Sequence, residues 1–322
     1  MNTINDIFDC FESFNSRELK SAGDELVEHF NSGNSIMVTI AGALSTAGIG
    51  KSLSGLIKNG KIIAITSTAA NLEEDILRVF TGKYQKVDWR ELKPEEEMAF
   101  YKRDELRVTD TLLDGGTFNE LAEEFILIVE SLQNPIFPHE AVYLLLEKLI
   151  KEGRIDENRL AKESWVYNCY KTKTPIYVPG FEDCTFSNYL IAKHLAGNKK
   201  INTNNIKSGL EYMKHLALFY IQKSTQHDLG FLQLGGGIAG DFSICVVPML
   251  TLMSKKETKR WKYFCQISES TTSFGSYSGA PPNEKISWGK LNLESKSFMI
   301  ESDATIVAPI LLKYVENNLK YD

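Results

Sequence analysis

Ser35-Ile36-Met37-Val38-Thr39-Ile40-Ala41 is a near-continuous β-branched run, the pattern of a strand buried on both faces of a parallel sheet. A helix is expected next, over residues 46–59, with Ile49, Leu53, Leu56 and Ile57 on one face and Asn59-Gly60 as its stop. Residues 61–66, Lys-Ile-Ile-Ala-Ile-Thr, repeat the strand signal, and residues 72–80 restart a helix. This βαβα alternation predicts right-handed crossovers and a doubly wound, mostly parallel sheet with helices on both faces: an α/β, Rossmann-like fold.

Between residues 81 and 115 the pattern gives way to charged and aromatic residues, including Glu95-Glu96-Glu97, and reads as a solvated excursion over the surface. Helical periodicity returns over 118–132, 139–151 and 161–170, followed by a strand over 175–179. Helices near 185–195 and 206–222 lead to a strand at 231–234. Residues 240–252 are apolar, with a helix expected as far as Pro248. Strands at 263–267 and 298–300 and a helix over 303–319 complete the alternation. No repeat and no Gly/Ser/Pro-rich linker interrupts it, so residues 1–322 are expected to form one domain.

Composition narrows the function classes. With 322 residues and 43% hydrophobic content the chain can bury a large core. A net charge of -6 argues against a nucleic-acid partner, and is compatible both with cationic substrates and with an ordinary soluble surface. Cys10, Cys169, Cys184, Cys245 and Cys265 form no Cys-x-x-Cys pair, and the five histidines show no metal-ligand spacing, so neither a disulfide framework nor a metal site is indicated. No signal peptide and no 18-residue apolar run is recognisable, and a cytoplasmic protein without a membrane partner is expected.

Three turns carry candidate chemistry. Gly235-Gly236-Gly237-Ile238-Ala239-Gly240 follows a strand and opens a helix, and Gly235, Gly237 and Gly240 have the spacing of a dinucleotide-binding turn. The carboxylate usual some twenty residues on is absent. Residues 41–48 and 67–71 are small-residue turns at two other strand ends, where ligands of open α/β sheets bind. Glu73-Glu74-Asp75 follows the second, placed either to stabilise a helix N-terminus or to bind an ammonium group.

The segment Ser278-Gly279-Ala280-Pro281-Pro282-Asn283-Glu284-Lys285-Ile286-Ser287-Trp288-Gly289-Lys290 is the most specific. It sets a lysine behind an indole and a glycine, six residues after a carboxylate. Burial against an aromatic wall makes a lysine nucleophilic by disfavouring its ammonium form. As an isolated motif, a Trp-Gly-Lys turn on a loop is more often structural.

Taken with the triple glycine, the 67–75 turn and Asp303-Ala304, this segment resembles deoxyhypusine synthases, and more closely their bacterial deoxyhypusine synthase-like relatives, from about residue 15 to the C-terminus. The resemblance implies a homotetramer with NAD at sites shared between subunits. It also implies aminobutyl transfer from spermidine through an imine on the active-site lysine, which by motif position is Lys290. Carried over by position, NAD contacts fall on Ala43, Leu44, Ser45, Thr46, Ala47, Thr68, Ala69, Ala70, Glu74, Asp183, Gly236, Asp303 and Ala304. Amine contacts fall on Glu73, Glu74, Asn188, Asp241, Ser276, Tyr277, Ser278, Glu284, Trp288 and Lys290, with Lys290, Asp241 and Glu284 as the catalytic set. Trp288 would line the amine channel, where a cation–π contact is worth about 0.5–2 kcal/mol.

Three positions depart from the pattern. Asp241 stands where the family has a proton-transferring histidine, and Asn188 and Tyr277 replace aspartates that hold the polyamine. The resulting expectation is an NAD-dependent aminoalkyl transferase with a small cationic amine as acceptor. A protein lysine as acceptor, as in deoxyhypusine synthesis, and a non-catalytic polyamine- or NAD-binding relative are the alternatives.

Overall fold

The computed structural model describes residues 3–82, 84–272 and 275–320. Six parallel strands form the central sheet: β1 (Ser35–Ile40), β2 (Ile62–Ser67), β3 (Ile176–Tyr177), β4 (Leu229–Leu234), β5 (Tyr263–Ser268) and β6 (Lys296–Glu301). Their order across the sheet is β3-β2-β1-β4-β5-β6, that of a doubly wound dinucleotide-binding fold. Every residue of β1, β4 and β5 is buried, which is why these strands read as unbroken apolar runs. Helices pack around the sheet, and one apolar core runs from Phe8 to Leu319.

Several expected elements shift for local reasons. The helix expected over 46–59 is two, Leu44–Ala47 and Gly50–Lys58, because Gly48 adopts φ +90° and ends the first. The helix expected from residue 72 begins at Ala69, so Glu73, Glu74 and Asp75 lie beyond its first turn and the helix-dipole reading does not apply. The helix expected over 161–170 is divided at Ser164, whose hydroxyl caps Trp165–Thr172 by accepting from Tyr167 N–H. The chain continues past Pro248 into a π-helical turn, Met249–Met253.

Residues 81–115 are more than an excursion. Among the described residues they hold the helix Pro94–Lys102 and a three-stranded antiparallel sheet, Gln85–Lys86, Glu105–Val108 and Thr111–Asp114, with the last in the centre. Two N-terminal helices, Ile4–Asp9 and Phe14–Asn31, complete the chain, the second packing on β6.

Candidate active site

The strand order reverses between β1 and β4, so the loops leaving these strands flank the crevice where ligands of such sheets bind. They approach closely: a β-carbon on Gly235, at φ +78°, would lie 3.1 Å from Ala41 O. Gly237, at φ +64°, faces open space and opens the helix Gly237–Ile244, which has no side-chain cap. On the β1 side, the Asn71 carboxamide fixes two turns at once. Its Oδ1 accepts from Ser45 N–H at 2.8 Å, and its Nδ2 donates to Gly42 O at 2.5 Å and to Thr68 Oγ1 at 2.8 Å. Trp165 Nε1 donates to Ser45 Oγ at 3.0 Å, and Thr46 Oγ1 donates to Glu74 Oε2 at 2.6 Å. Burial raises the Glu74 pKa above the ordinary carboxylate range. Ser67 Oγ, at the end of β2, is buried with no hydrogen-bond partner.

Beyond β5, Pro282 opens a short helix, Pro282–Ser287, that ends in a Schellman turn. Gly289 N–H donates to Ile286 O and Lys290 N–H to Lys285 O, both at 2.9 Å, with Gly289 at φ +71°. That reversal carries Lys290 inward: it is 6% exposed, whereas neighbouring Trp288 is 60% exposed. Lys290 Nζ stands 3.2 Å from Asp241 Oδ1, 5.0 Å from the Tyr277 ring centre and 5.9 Å from that of Trp288. Cys245 Sγ reaches the same Asp241 oxygen at 3.2 Å. These groups, with Ser276, Glu284 and Lys285, line a cavity of about 310 Å³.

Two buried glutamines anchor the cavity to the sheet. Gln233 on β4 and Gln266 on β5 are register partners, with Gln233 Nε2 donating to Gln266 Oε1 at 2.9 Å. Tyr277 OH donates to Gln233 Oε1 at 2.9 Å, and Gln266 Nε2 donates to Ser278 O. Gly240 is required beneath them, since a β-carbon there would come within 2.7 Å of Gln233 Oε1. Sequence reading passed over Asn71, Gln233 and Gln266. The signal was a lone amide inside the apolar runs Phe231-Leu232-Gln233-Leu234 and Phe264-Cys265-Gln266-Ile267.

A family model described as Deoxyhypusine synthase matches residues 4–315. The chain belongs to the deoxyhypusine synthase family. The Deoxyhypusine synthase-like protein of Chlorobaculum parvum is 24% identical over 289 residues, covering 89% of this chain and 78% of the relative. Probable deoxyhypusine synthase 1 of Archaeoglobus fulgidus is 24% identical over 315 residues, covering 97% and 93%. In fold, the chain is similar to a crystal structure from Entamoeba histolytica assigned as a deoxyhypusine synthase, with TM-score 0.59, 15% identity and coverage of 100% of this chain and 96% of that one.

The deoxyhypusine synthase-type residues fall into separate groups within one chain. Asp241, Ser276, Tyr277, Glu284, Trp288 and Lys290 share the cavity, and Ser278 packs beneath it against Gly236. Ala43 to Ala47, Thr68 to Ala70 and Glu74 gather on the β1–β2 side of the crevice. Asn188 lines a different, largely apolar cavity of about 530 Å³ with Phe181, Ile191 and Leu195. Asp183 follows β3 and Asp303 follows β6, the two opposite edges of the sheet. Asp303 caps the helix Ala304–Asn318, accepting from Thr305 N–H at 2.7 Å.

Glu73 and Asp75 have structural partners. Glu73 accepts from Thr185 N–H at 3.0 Å and Phe186 N–H at 2.9 Å, capping the helix Thr185–Leu195. Asp75 accepts from Ser164 Oγ and from the N–H groups of Trp165 and Val166 at 3.3 and 3.2 Å. Burial raises both pKa values to about 7 against the lowering effect of these bonds. Of the three adjacent carboxylates, Glu74 is the one whose hydrogen bond leads to the 43–47 turn.

Proposed function

We propose that the chain is an NAD-dependent aminoalkyl transferase that carries the transferred group as an imine on Lys290 and delivers it to a small amine. The observation that carries this reading is the buried Lys290 Nζ, 3.2 Å from Asp241 in an aromatic-walled cavity next to the glycine loop.

The crevice residues fit a dinucleotide. Gly42 and Gly237 leave open space where a β-carbon would intrude, the uncapped N-terminus of Gly237–Ile244 presents free N–H groups to an anion, and Ser67 Oγ lacks a partner. Glu74 is placed to accept from ribose hydroxyls. NAD, when bound, supplies hydride acceptance from the donor amine and its return to the product.

The chain's own residues do the rest. Asp241 takes a proton from Lys290, whose Nζ lone pair adds to the imine carbon of an oxidised donor amine. The bond from that carbon to the departing amine breaks as Asp241 returns the proton, leaving the carbon bound to Lys290. An incoming amine adds to the same carbon and expels Lys290 as a free amine. Glu284 holds the cationic end of the chain, and Trp288 and Tyr277 flank it.

A homotetramer belongs to this reading. Asp183 and Asn188 lie apart from Lys290 in one chain, and assembly would bring them into a shared site. The five cysteines are free thiols, and no helix of the described residues is long and apolar enough to cross a membrane, which suits a reducing cytoplasm.

Incubation with NAD, labelled spermidine or putrescine, and either a mixed amine panel or the translation factor with its acceptor lysine unmodified tests the acceptor. Label is expected in small polyamines. Stoichiometric label on the translation factor would overturn that preference.

A further inference from the structure

Lys285 is a buried cation that the chemistry above does not use. It is 3% exposed and lines the Lys290 cavity. Its Nζ donates to Ala280 O at 2.9 Å and lies 4.9 Å from the Phe264 ring centre and 5.5 Å from that of Tyr277. The Tyr277 ring therefore has two ammonium groups beside it, those of Lys285 and Lys290. Among the described residues, Lys285 has no carboxylate in ion-pair contact.

Burial pulls the Lys285 pKa down to about 8, with the Lys290 charge acting in the same direction and Glu284 and Asp241 opposing it. At neutral pH it remains mostly an ammonium. Among the described residues, the charged groups lining the cavity are thus two carboxylates, Asp241 and Glu284, and two lysines, Lys285 and Lys290. Asp241 is engaged with Lys290, which leaves Glu284 as the carboxylate that one chain's cavity offers to a substrate ammonium.

We propose that Lys285 is a specificity-determining residue whose fixed charge stands in for one substrate ammonium, so that the cavity takes a diamine in preference to a triamine. The proposal rests on the reading of this cavity as the amine site. A diamine reacting at one nitrogen brings one further ammonium, which Glu284 balances. A triamine brings a second, and it meets the Lys285 charge.

Titration calorimetry of the NAD-loaded full chain with putrescine and with spermidine tests this, using wild type, Lys285→Met and Lys285→Arg. Wild type and Lys285→Arg should bind putrescine at least about tenfold more tightly than spermidine. Lys285→Met, which keeps the volume and removes the charge, should abolish or invert that ratio through tighter spermidine binding. The same ratio in all three proteins, or tighter spermidine binding by wild type, overturns the proposal. Borohydride adducts on Lys290 report separately on the chemistry. Their absence with both amines sinks the imine reading, while their presence beside an unmoved affinity ratio sinks only the role given to Lys285.

Discussion

A β-carbon placed on Gly236 would lie 1.8 Å from Ser278 Oγ, so the glycine loop after β4 and the lysine segment after β5 meet with no room for one methyl group. Ser278 cannot easily retreat, because its carbonyl is held by Gln266 from inside the sheet. The crevice and the lysine cavity are thereby built against each other.

Gly236→Ala should accordingly cost about 1–3 kcal/mol of stability and displace the Ser276 to Ala280 segment, lowering turnover. Ser278→Gly removes the obstructing Oγ and Cβ. The double variant should recover most of the loss, giving a coupling free energy of at least about 1 kcal/mol by denaturant titration. Additive losses would mean that the two loops are not in this contact.

Asp241 is the acceptor nearest the lysine nitrogen. Asp241→Asn keeps the shape and loses the base, so kcat for amine transfer should fall about 100-fold or more while NAD affinity stays within about twofold. Asp241→His, which restores the group found there in other family members, should retain more of the rate than Asn. Equal kcat values in Asn and wild-type proteins would make Asp241 a bystander.

The Glu73 and Asp75 caps give the fold a pH dependence. Both carboxyls hold their protons to about pH 7 when folded, against ordinary values of 4.5 and 3.8. Between those values and pH 7 the folded chain binds more protons than the unfolded one, so stability is greatest below the window and falls as pH rises through it. Urea titrations at several pH values should show that decline, with a shallower slope in Glu73→Gln. Glu73→Ala should lose about 0.5–2 kcal/mol with the cap. A stability that rises from pH 5 to 7 would contradict the assignment.

Sheet strands buried on both faces were legible because they leave unbroken apolar runs, as in Ser35–Ile40, while Lys296–Glu301, with one buried residue, was legible only over Phe298-Met299-Ile300. The small antiparallel sheet was not, since Gln85–Lys86 is exposed and Glu105–Val108 has no buried position to mark an inner face. Motif position drew Asp241, Tyr277, Glu284, Trp288 and Lys290 toward one site, and in the structure these residues line one cavity. It could not show that Glu73 caps a helix more than a hundred residues away, or that Lys285 is buried beside the cavity while Trp288, which lines it too, is 60% exposed. Those facts depend on tertiary partners, which local pattern does not encode.

Borohydride trapping reads most directly whether Lys290 carries the transferred group. Wild-type protein with NAD and a donor amine should gain one aminoalkyl mass on the peptide containing Lys290. Lys290→Arg should bind NAD equally and gain none. Labelling that persists in Lys290→Arg, or no adduct in wild-type protein that binds NAD, contradicts the account.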